Sequence, residues 1–318
     1  MIPEVRRELL KRGLHARIVS ARHIGDLQEE IEGRHSQKLF DEQYYEELRT
    51  YLSFEPPEEM PAPSCLIVVS VPQPQFRVVF NWKGKRWPLM IPPTYLYGTE
   101  TNNHVGALLA EILTPHGYRA VRASLPIKSL AVHSGLAAYG RNNVSYVSST
   151  GSFHRLAGFY SDLPCPNDNW RDLQMTEACQ KCSACQRSCP TGAINSDRFL
   201  LHAERCITFH NEHSTDVPFP EWMNGSWHNC LVGCLHCQRV CPINKEALAW
   251  VEAGPEFTEE ETTLLLRGVP LDQLPGATQE KVTEFDMLEY VDVFPRNLRV
   301  LVDPRGQGEP ALEPRTTL

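Results

Sequence analysis

The sequence predicts an α+β fold, because helical and strand-like segments alternate irregularly along the first half of its 318 residues. Strict strand–helix–strand alternation, which would indicate a doubly wound sheet, is not seen. A second observation is a change in composition: from Pro164 to about Asn244 the chain is rich in cysteine, proline and short loops. We therefore expect a mixed helix and strand domain over 1–164, a cysteine-rich module over 165–245 and a C-terminal extension over 246–318.

The individual elements follow from hydrophobic spacing and from turn residues. Apolar residues recurring every three to five positions predict helices, and short apolar runs bounded by Pro, Gly or Asn predict strands. The last two strands before the cysteines are expected to pair with each other, and the final residues are expected to fray. The predicted helices cover 2–13, 38–53, 101–113, 126–133 and 256–266, and the predicted strands cover 64–74, 75–89 (with a hairpin turn at 83–85), 118–123, 143–149, 153–160 and 298–302.

Composition limits the class of protein. With 42% hydrophobic and 22% charged residues the chain is too apolar to be disordered. Its net charge of −8 and pI near 5.9 do not fit the broad basic surface of a non-specific nucleic-acid binder. We therefore do not expect a nucleic-acid partner, although a local basic patch stays open.

The N-terminus and the apolar runs bear on location. Arg6 and Arg7 could suggest an export signal, but charged residues follow them where an apolar stretch would be needed. The longest apolar run, 65–71, has the length of a strand rather than of a membrane span. Eleven cysteines without an export signal favour a reducing, cytoplasmic location with no membrane association.

Two cysteine runs carry the chemistry. The first has the spacing C-x2-C-x2-C-x3-C-P, and the second repeats its C-x2-C-x3-C-P ending. In two-cluster ferredoxins such runs hold two [4Fe-4S] clusters, and the fourth cysteine of a run binds the cluster of the other run. Structural zinc, which uses two separated C-x2-C pairs, is the alternative, and a disulfide framework is less suited to a chain of this size. The runs comprise Cys179, Cys182, Cys185, Cys189 and Pro190, and Cys234, Cys237, Cys241 and Pro242, with Cys230 just upstream.

The region from Arg119 to Asn244 resembles the epoxyqueuosine reductase family, which is related to reductive dehalogenases. Six stretches carry the resemblance. They are the run Gly135, Leu136, Gly140, Asn142; the turn 151–153; the Asp162-Leu163-Pro164 motif; the segments beginning at Cys189 and Cys206; and the Gly233–Pro242 run.

The resemblance implies a nitroreductase-like α/β domain that binds cobalamin, followed by a bacterial ferredoxin-like two-[4Fe-4S] module that feeds it electrons. It also implies two ligand sets. One consists of Cys179, Cys182, Cys185 and Cys241, and the other of Cys189, Cys206, Cys234 and Cys237. Cys230 competes with Cys234, but Cys234 keeps the two-residue spacing to Cys237. Cys65 is expected to be a small core residue, and Cys165 buried or free.

The chain departs from that family at the position of its proton-donating aspartate. Here the matching residue is Ala123, or Val121 or Arg122 if the alignment shifts, and none of them can donate a carboxylic proton. If the reaction is kept, Ala123 is expected to line the cavity above the cobalt. The helical repeats that follow the clusters in many members, part of their tRNA-binding apparatus, are also missing. The resemblance therefore implies a retained reaction class with a changed substrate.

Candidate cofactor contacts lie in a polar loop between a predicted helix and a strand. Loops rich in hydrogen-bonding groups suit the amide side chains of a corrinoid, while an ordinary polar turn is the alternative. No histidine motif for binding cobalt is present. The candidates are Tyr139, Gly140, Arg141, Asn142, Asn143 and Ser152.

A replacement proton donor would come from a tyrosine or a histidine, although each candidate could equally be a packing residue. His210 and His213 lie beside Cys206 and are expected to tune a cluster rather than bind a separate metal. The catalytic residue stays unassigned. The donor candidates are Tyr95, Tyr97, His133, Tyr139 and His154.

No phosphate-binding loop, dinucleotide fingerprint or flavin motif appears in the sequence, so electrons must come from an external low-potential donor such as a ferredoxin, a flavodoxin or a reductase. The sequence thus predicts an iron–sulfur oxidoreductase that passes electrons to a bound cobalamin. Its substrate would be a small molecule or a modified nucleoside. The alternative is a ferredoxin-type electron-transfer protein that reduces the cofactor of a partner protein.

Overall fold

The computed structural model describes residues 1–303 and confirms a mixture of helices and strands. The chain forms two compact units. The first contains 1–74, 97–205 and 237–249, and the second contains 75–96, 206–236 and the chain from 250 to the last described residue. Neither unit coincides with a predicted domain, and the three-domain division stays a prediction. The tail expected to fray, 306–318, lies outside the described residues.

In chain order, the helices are α1 Ile2–Lys11, α2 Ile24–Ser36, α3 Glu42–Tyr51, α4 Gly98–Leu113, α5 Ile127–His133, α6 Ala184–Ser188, α7 Ile207–Glu212, α8 His236–Arg239, α9 Glu259–Leu266, α10 Gly276–Glu284 and α11 Phe294–Val302. The strands are β1 His15–Ser20, β2 Cys65–Pro72, β3 Gln75–Trp82, β4 Lys85–Ile91, β5 Ala120–Arg122, β6 Ala138–Tyr139, β7 Ser145–Tyr146, β8 His154–Ser161 and β9 Val251–Phe257. Within residues 1–303, no helix combines the length and the apolar character needed to cross a membrane.

An antiparallel sheet with the strand order β1-β2-β8-β5 organises the first unit. The central strand β2 is apolar on both faces, as its unbroken hydrophobic run predicts. Cys65, Ile67 and Val69 pack in one apolar cluster with residues of α1 and α4. Leu66 and Val68 pack in a second cluster with residues of α2 and α5. Cys65 is fully buried, which confirms its predicted place in the core.

Most of the predicted elements of the first unit are confirmed, with bounds shifted by a few residues. Strand β1 and helix α2 were not predicted. The prediction of a long strand over 143–149 was wrong. Only β7 forms there, and it pairs with β6, while β8 pairs with β2 and β5. The reason is the tight β6–β7 turn, in which Gly140 donates its amide hydrogen to the carbonyl of Val144 at 2.8 Å.

A second sheet, with the order β4-β3-β9, belongs to the second unit. The hairpin between β3 and β4 is confirmed, whereas β9, which runs parallel to β3, was not predicted. Helix α9 begins at Glu259 because Thr258 and Glu261 form a capping box. The predicted strand at 298–302 was wrong, because this segment continues α11. Its side chains Phe294, Leu298 and Val302 are buried at the four-residue spacing of a helix.

Candidate metal centre

The eleven cysteines all lie within residues 1–303, and none of them forms a disulfide bond there. In the first run Cys179 and Cys185 are buried, while Cys182 and Cys189 are half-buried. Short helical turns bring them together, since Cys179 ends a single 3-10 turn and Cys185 lies in α6. The trailing Pro190 follows Cys189 in extended backbone and ends the run.

The first run is joined by one cysteine of the second run. Burial and the nearby thiols of Cys241 and Cys182 raise the pKa of the Cys179 thiol. Burial and the thiols of Cys179 and Cys241 likewise raise the pKa of Cys185. Electrostatic interaction thus links Cys179, Cys182, Cys185 and Cys241 within the first unit. Their service as one ligand set, in the crossed arrangement of a two-cluster module, stays a prediction.

Four cysteine thiols are the ligand set of a [4Fe-4S] cluster. Metal binding requires their deprotonated forms, and the resulting thiolates would repel one another without positive charge among them. Among the described residues, no group of three His, Cys, Asp or Glu side chains is placed to hold a metal ion. In a cubane each of four thiolates binds a different iron.

The predicted cofactor loop holds the first cysteine run in place. The guanidinium of Arg141 donates hydrogen bonds to the carbonyl oxygens of Cys182 (2.9 Å) and Cys179 (2.7 Å). Asn143 donates to the carbonyl of Phe199 at 2.7 Å and accepts a hydrogen bond from the amide of Leu201. The Arg141 bonds thus fix the backbone of two proposed cluster ligands, and the Asn143 bonds fix the segment between Cys189 and Cys206.

The same loop reaches the second cysteine run through Tyr146. The amide of Asn142 donates to the Tyr146 hydroxyl at 3.1 Å. Burial raises the pKa of Tyr146, and so does its hydrogen bond with the Cys241 thiol. Gly140 is required here because a methyl group at this position would collide with the Tyr146 ring and the Asn142 side chain. Tyr146 is a residue that sequence reasoning missed.

Ser152 is the second link from this domain to the cysteines. Its amide donates to Oδ1 of Asn244 at 2.9 Å, and Nδ2 of Asn244 donates to its hydroxyl at 2.8 Å. The Ser152 hydroxyl also donates to Oε1 of Gln238 at 2.8 Å. Asn244 and Gln238 were missed, although both lie within three residues of Cys241.

All six predicted cofactor residues thus lie in the same unit as the first cysteine run. Five of them use their side chains for hydrogen bonds within the protein. Among these, Tyr139 contacts the Ser129 hydroxyl at 3.1 Å. These bonds support the shape of the cluster-binding segments. A contact of these residues with a cofactor stays a prediction.

An asparagine also braces the cysteines of the second unit. Asn211 of α7 donates to the carbonyl of Gly233 at 2.7 Å and accepts from its amide at 2.9 Å. Gly233 precedes Cys234, and Asn211 follows Cys206 by one and a half turns of helix. Asn297 of α11 in turn donates to the carbonyl of Asn211 at 2.7 Å. Cys206 and Cys234 belong to this unit, and the set formed by Cys189, Cys206, Cys234 and Cys237 stays a prediction.

The two histidines of α7 lie in an aromatic group. His210 is 5.5 Å from Trp222, and His213 is 4.5 Å from Phe209, between ring centroids. Arg296, another residue that the sequence did not indicate, donates to the carbonyls of His210 (3.0 Å) and His213 (2.7 Å). Their influence on a cluster potential stays a prediction.

Four candidate proton donors are held by neighbouring polar groups. Tyr95 donates to Glu212, and burial raises its pKa. His133 contacts Glu30 at 2.6 Å, and Tyr139 contacts Ser129. Burial lowers the pKa of His154 to about 4, so this imidazole is neutral at pH 7. Tyr97 adopts a left-handed backbone conformation at the start of α4.

Ala123 lies in apolar surroundings. It is buried in the apolar cluster that includes Leu130 and Tyr160, and its amide donates to the carbonyl of Gly158. A carboxyl group placed there would lie among hydrocarbon side chains. The expectation that Ala123 lines a cavity above a bound cobalamin stays a prediction. Val121 is packed against the same cluster, and Arg122 is exposed.

Comparisons with known proteins support the cluster assignment. Residues 178–244 match the family described as 4Fe-4S double cluster binding domain. The epoxyqueuosine reductase of Aliivibrio fischeri is 34% identical over 145 residues, which cover 45% of this chain and 38% of that protein. The enzyme from Pseudomonas aeruginosa is 35% identical over 136 residues, which cover 42% of this chain and 36% of that protein. This chain resembles the epoxyqueuosine reductases. The matched region spans less than half of either relative.

Solved structures of epoxyqueuosine reductases share the fold of this chain. The epoxyqueuosine reductase of Streptococcus thermophilus aligns with a TM-score of 0.64 at 15% identity, covering 95% of this chain and 80% of that one. The Bacillus subtilis epoxyqueuosine reductase, whose catalytic aspartate loop is swung out of the active site, aligns with a TM-score of 0.65 at 17% identity, covering 95% and 82%. An epoxyqueuosine reductase solved with an epoxyqueuosine-modified tRNA-Tyr stem loop aligns with a TM-score of 0.62 at 18% identity, covering 95% and 82%.

Proposed function

We propose that this protein is an iron–sulfur oxidoreductase with two [4Fe-4S] clusters. Cys179, Cys182, Cys185 and Cys241 would hold one cluster, and the set formed by Cys189, Cys206, Cys234 and Cys237 would hold the other. The observation that carries the proposal is the match of residues 178–244 to the 4Fe-4S double cluster binding domain. The electrostatic interaction of Cys241 with Cys179 and Cys185 supports the crossed ligand sets, since zinc knuckles do not need such an exchange of ligands.

The proposal includes cobalamin as the group that receives these electrons. It rests on the likeness to epoxyqueuosine reductases in sequence and fold, with the first unit as the nitroreductase-like part. When bound, a reduced corrinoid would supply the electrons that reduce an organic substrate. The loop over 139–143 and Ser152 would contact the cofactor. Because their side chains already form hydrogen bonds within the protein, they would contribute backbone groups and the shape of the loop.

The substrate class follows from the relatives. One similar protein was solved with a modified tRNA stem loop, which counts against the charge-based expectation that nucleic acid is not a partner. We propose a modified nucleoside, free or within RNA, as the first substrate class to test, and a small molecule as the second. The proton would come from a group other than Ala123, since its methyl side chain carries no acidic proton. A low-potential carrier protein would supply the electrons, and the expected location is the cytoplasm.

One observation favours the second candidate function, a ferredoxin-type protein that reduces a partner's cofactor. Arg141 and Ser152 use their side chains to bond segments that carry proposed cluster ligands, and Asn142 bonds to Tyr146, the partner of Cys241. A purely electron-transferring protein would need these braces and no substrate pocket.

Anaerobic reconstitution distinguishes the two candidate functions. The chain should take up about eight irons and eight sulfides with iron and sulfide supplied. Cob(II)alamin added to it should give an EPR spectrum that differs from that of the free cofactor. A free-cofactor spectrum at saturating protein would leave only the electron-transfer function, and zinc without labile sulfide would refute both.

A further inference from the structure

The surface around the first cluster site is basic, although the chain as a whole is acidic. Segments 177–189 and 237–246 carry four basic and two acidic residues, a net charge of +2, in a chain of net charge −8. All six of these side chains are exposed. The basic residues are Lys181, Arg187, Arg239 and Lys245, and the acidic ones are Glu177 and Glu246.

These four basic residues must lie close to the proposed ligand cysteines. Successive Cα atoms are about 3.8 Å apart, so Lys181, Arg187 and Arg239, each within two residues of a ligand cysteine, have Cα atoms within about 8 Å of one. Lys245 lies in the turn after Cys241, where its amide donates to the carbonyl of Pro242 at 3.3 Å. None of the four forms an ion pair with another residue of the described range.

An apolar residue lies within this basic surface. Val240, between Arg239 and Cys241, is 41% exposed, and Cys182 and Cys241 are themselves half-buried. An apolar contact surrounded by charged residues is the usual anatomy of a protein interface. Electron-transfer encounters use small interfaces of this kind, in which rim charges set the association rate.

We propose that Lys181, Arg187, Arg239, Lys245 and Val240 form the docking surface for an acidic one-electron carrier protein, which delivers electrons to the cluster held by Cys179, Cys182, Cys185 and Cys241. The proposal rests on the proposed function and names its electron-entry face. In each encounter one electron passes from the reduced carrier to the oxidised cluster, and no bond forms or breaks. The favoured partner is a protein with an acidic face, because it complements the basic rim.

The salt dependence of the wild-type reaction gives the first test. Reduced flavodoxin of net negative charge is mixed anaerobically with the reconstituted protein, and bleaching of the cluster absorbance is followed by stopped flow. Two proteins of net negative charge repel each other, so their rate would rise with salt unless a local basic surface guides them. We expect the rate to fall as salt is added. A rate that rises with salt would overturn the proposal.

Charge reversal gives the second test. The double variant Arg239→Glu/Lys245→Glu should react with flavodoxin at least about tenfold more slowly at low salt, with the difference shrinking at high salt. The control Arg6→Glu/Lys38→Glu carries the same change of charge at exposed residues far from the cysteine runs in sequence, and should react like the wild type. Equal rates for the two double variants would overturn the proposal.

Two further measurements identify the source of any change. Dithionite, a small chemical reductant, should reduce the clusters of all variants at the same rate, and iron content should be unchanged. If the double variant instead loses binding to an RNA stem loop while its flavodoxin rate is kept, the surface is a nucleic-acid site and the proposal is wrong. A chain that takes up no clusters would refute the proposed function itself. Intact clusters with equal flavodoxin rates in the two double variants would refute only the docking surface.

Discussion

Ser152 and Asn244, 92 positions apart in the chain, are joined by two hydrogen bonds: the Ser152 amide donates to Asn244 Oδ1 at 2.9 Å, and Asn244 Nδ2 donates to the Ser152 hydroxyl at 2.8 Å. Asn244 is fully buried and also donates to the carbonyl of Gln238 at 3.0 Å. One side chain therefore fixes the segment around Cys241 against the turn that precedes β8.

Removing that amide should loosen the second cysteine run. Asn244→Ala would leave the buried Ser152 amide without its acceptor, at a cost of about 1–3 kcal/mol in the free energy of unfolding. Urea unfolding monitored by circular dichroism measures it. The exposed Asn167→Ala is the control and should change the free energy of unfolding by less than about 0.5 kcal/mol. An unchanged midpoint for Asn244→Ala would contradict the bracing role.

Gly140 should tolerate no side chain. Gly140→Ala would push a methyl group against the Tyr146 ring and the Asn142 amide, and such overpacking costs about 1–3 kcal/mol. Gly33→Ala is the matched control, because no atom lies within 4 Å of the added methyl group and Gly33 is inside α2. There alanine should stabilise the protein by about 0.5–1 kcal/mol. Thermal unfolding of both variants checks the opposite signs.

The hydrogen bond of Tyr146 with the Cys241 thiol predicts an effect on the cluster. Hydrogen bonds to cluster sulfurs raise reduction potentials, because they stabilise the more negative reduced form. Tyr146→Phe should therefore lower the potential of one cluster while iron content stays unchanged. Anaerobic redox titration followed by EPR measures the potential, and Tyr118→Phe, outside both cysteine runs, is the control. A potential equal to that of the wild type would show that the hydroxyl makes no such contact.

The ion pair between His133 and Glu30 predicts a pH dependence. Burial lowers the pKa of His133, but the hydrogen bonds with Glu30 and the Arg171 carbonyl outweigh it and raise the pKa above 6.5. Burial raises the pKa of Glu30, but hydrogen bonds with His133 and Ser129 and the charge of Arg34 lower it below 4.5. The histidine's contribution to stability is lost as the pH rises through its folded pKa, and the glutamate's is lost as the pH falls through its own.

Glu30→Gln should therefore cost most stability between about pH 4.5 and 6.5, and less in alkaline solution. Urea unfolding at pH 5.5 and pH 9 compares the two regimes. Glu42→Gln, which removes the exposed partner of His35, should cost less than about 1 kcal/mol at either pH. A loss for Glu30→Gln that is equal at both pH values would contradict the ion pair.

Local patterns predicted the helices α1, α3, α4 and α5 of the first unit, the continuous strand β2 and the cysteine runs, since each is set by residues near in sequence. Strand β9 was not predicted because it forms by parallel pairing with β3, some 175 residues earlier, and only Phe257 of its seven residues is buried. The 298–302 segment has β-branched and leucine residues, yet its burial pattern follows helix α11, which carries Pro295 in its first turn. Glu30, Asn244, Asn211 and Arg296 could not be chosen in advance, because their partners lie far along the chain.

The central claim is that Cys241 of the second run completes the cluster held by the first run. Iron and labile sulfide in anaerobically reconstituted Cys241→Ser test it most directly, with Cys165→Ser, outside both runs, as the control. We predict that Cys165→Ser keeps about eight irons per chain and that Cys241→Ser keeps about four, with the EPR signal of one cluster lost. A Cys241→Ser protein with the full iron and sulfide content of the wild type would contradict the account.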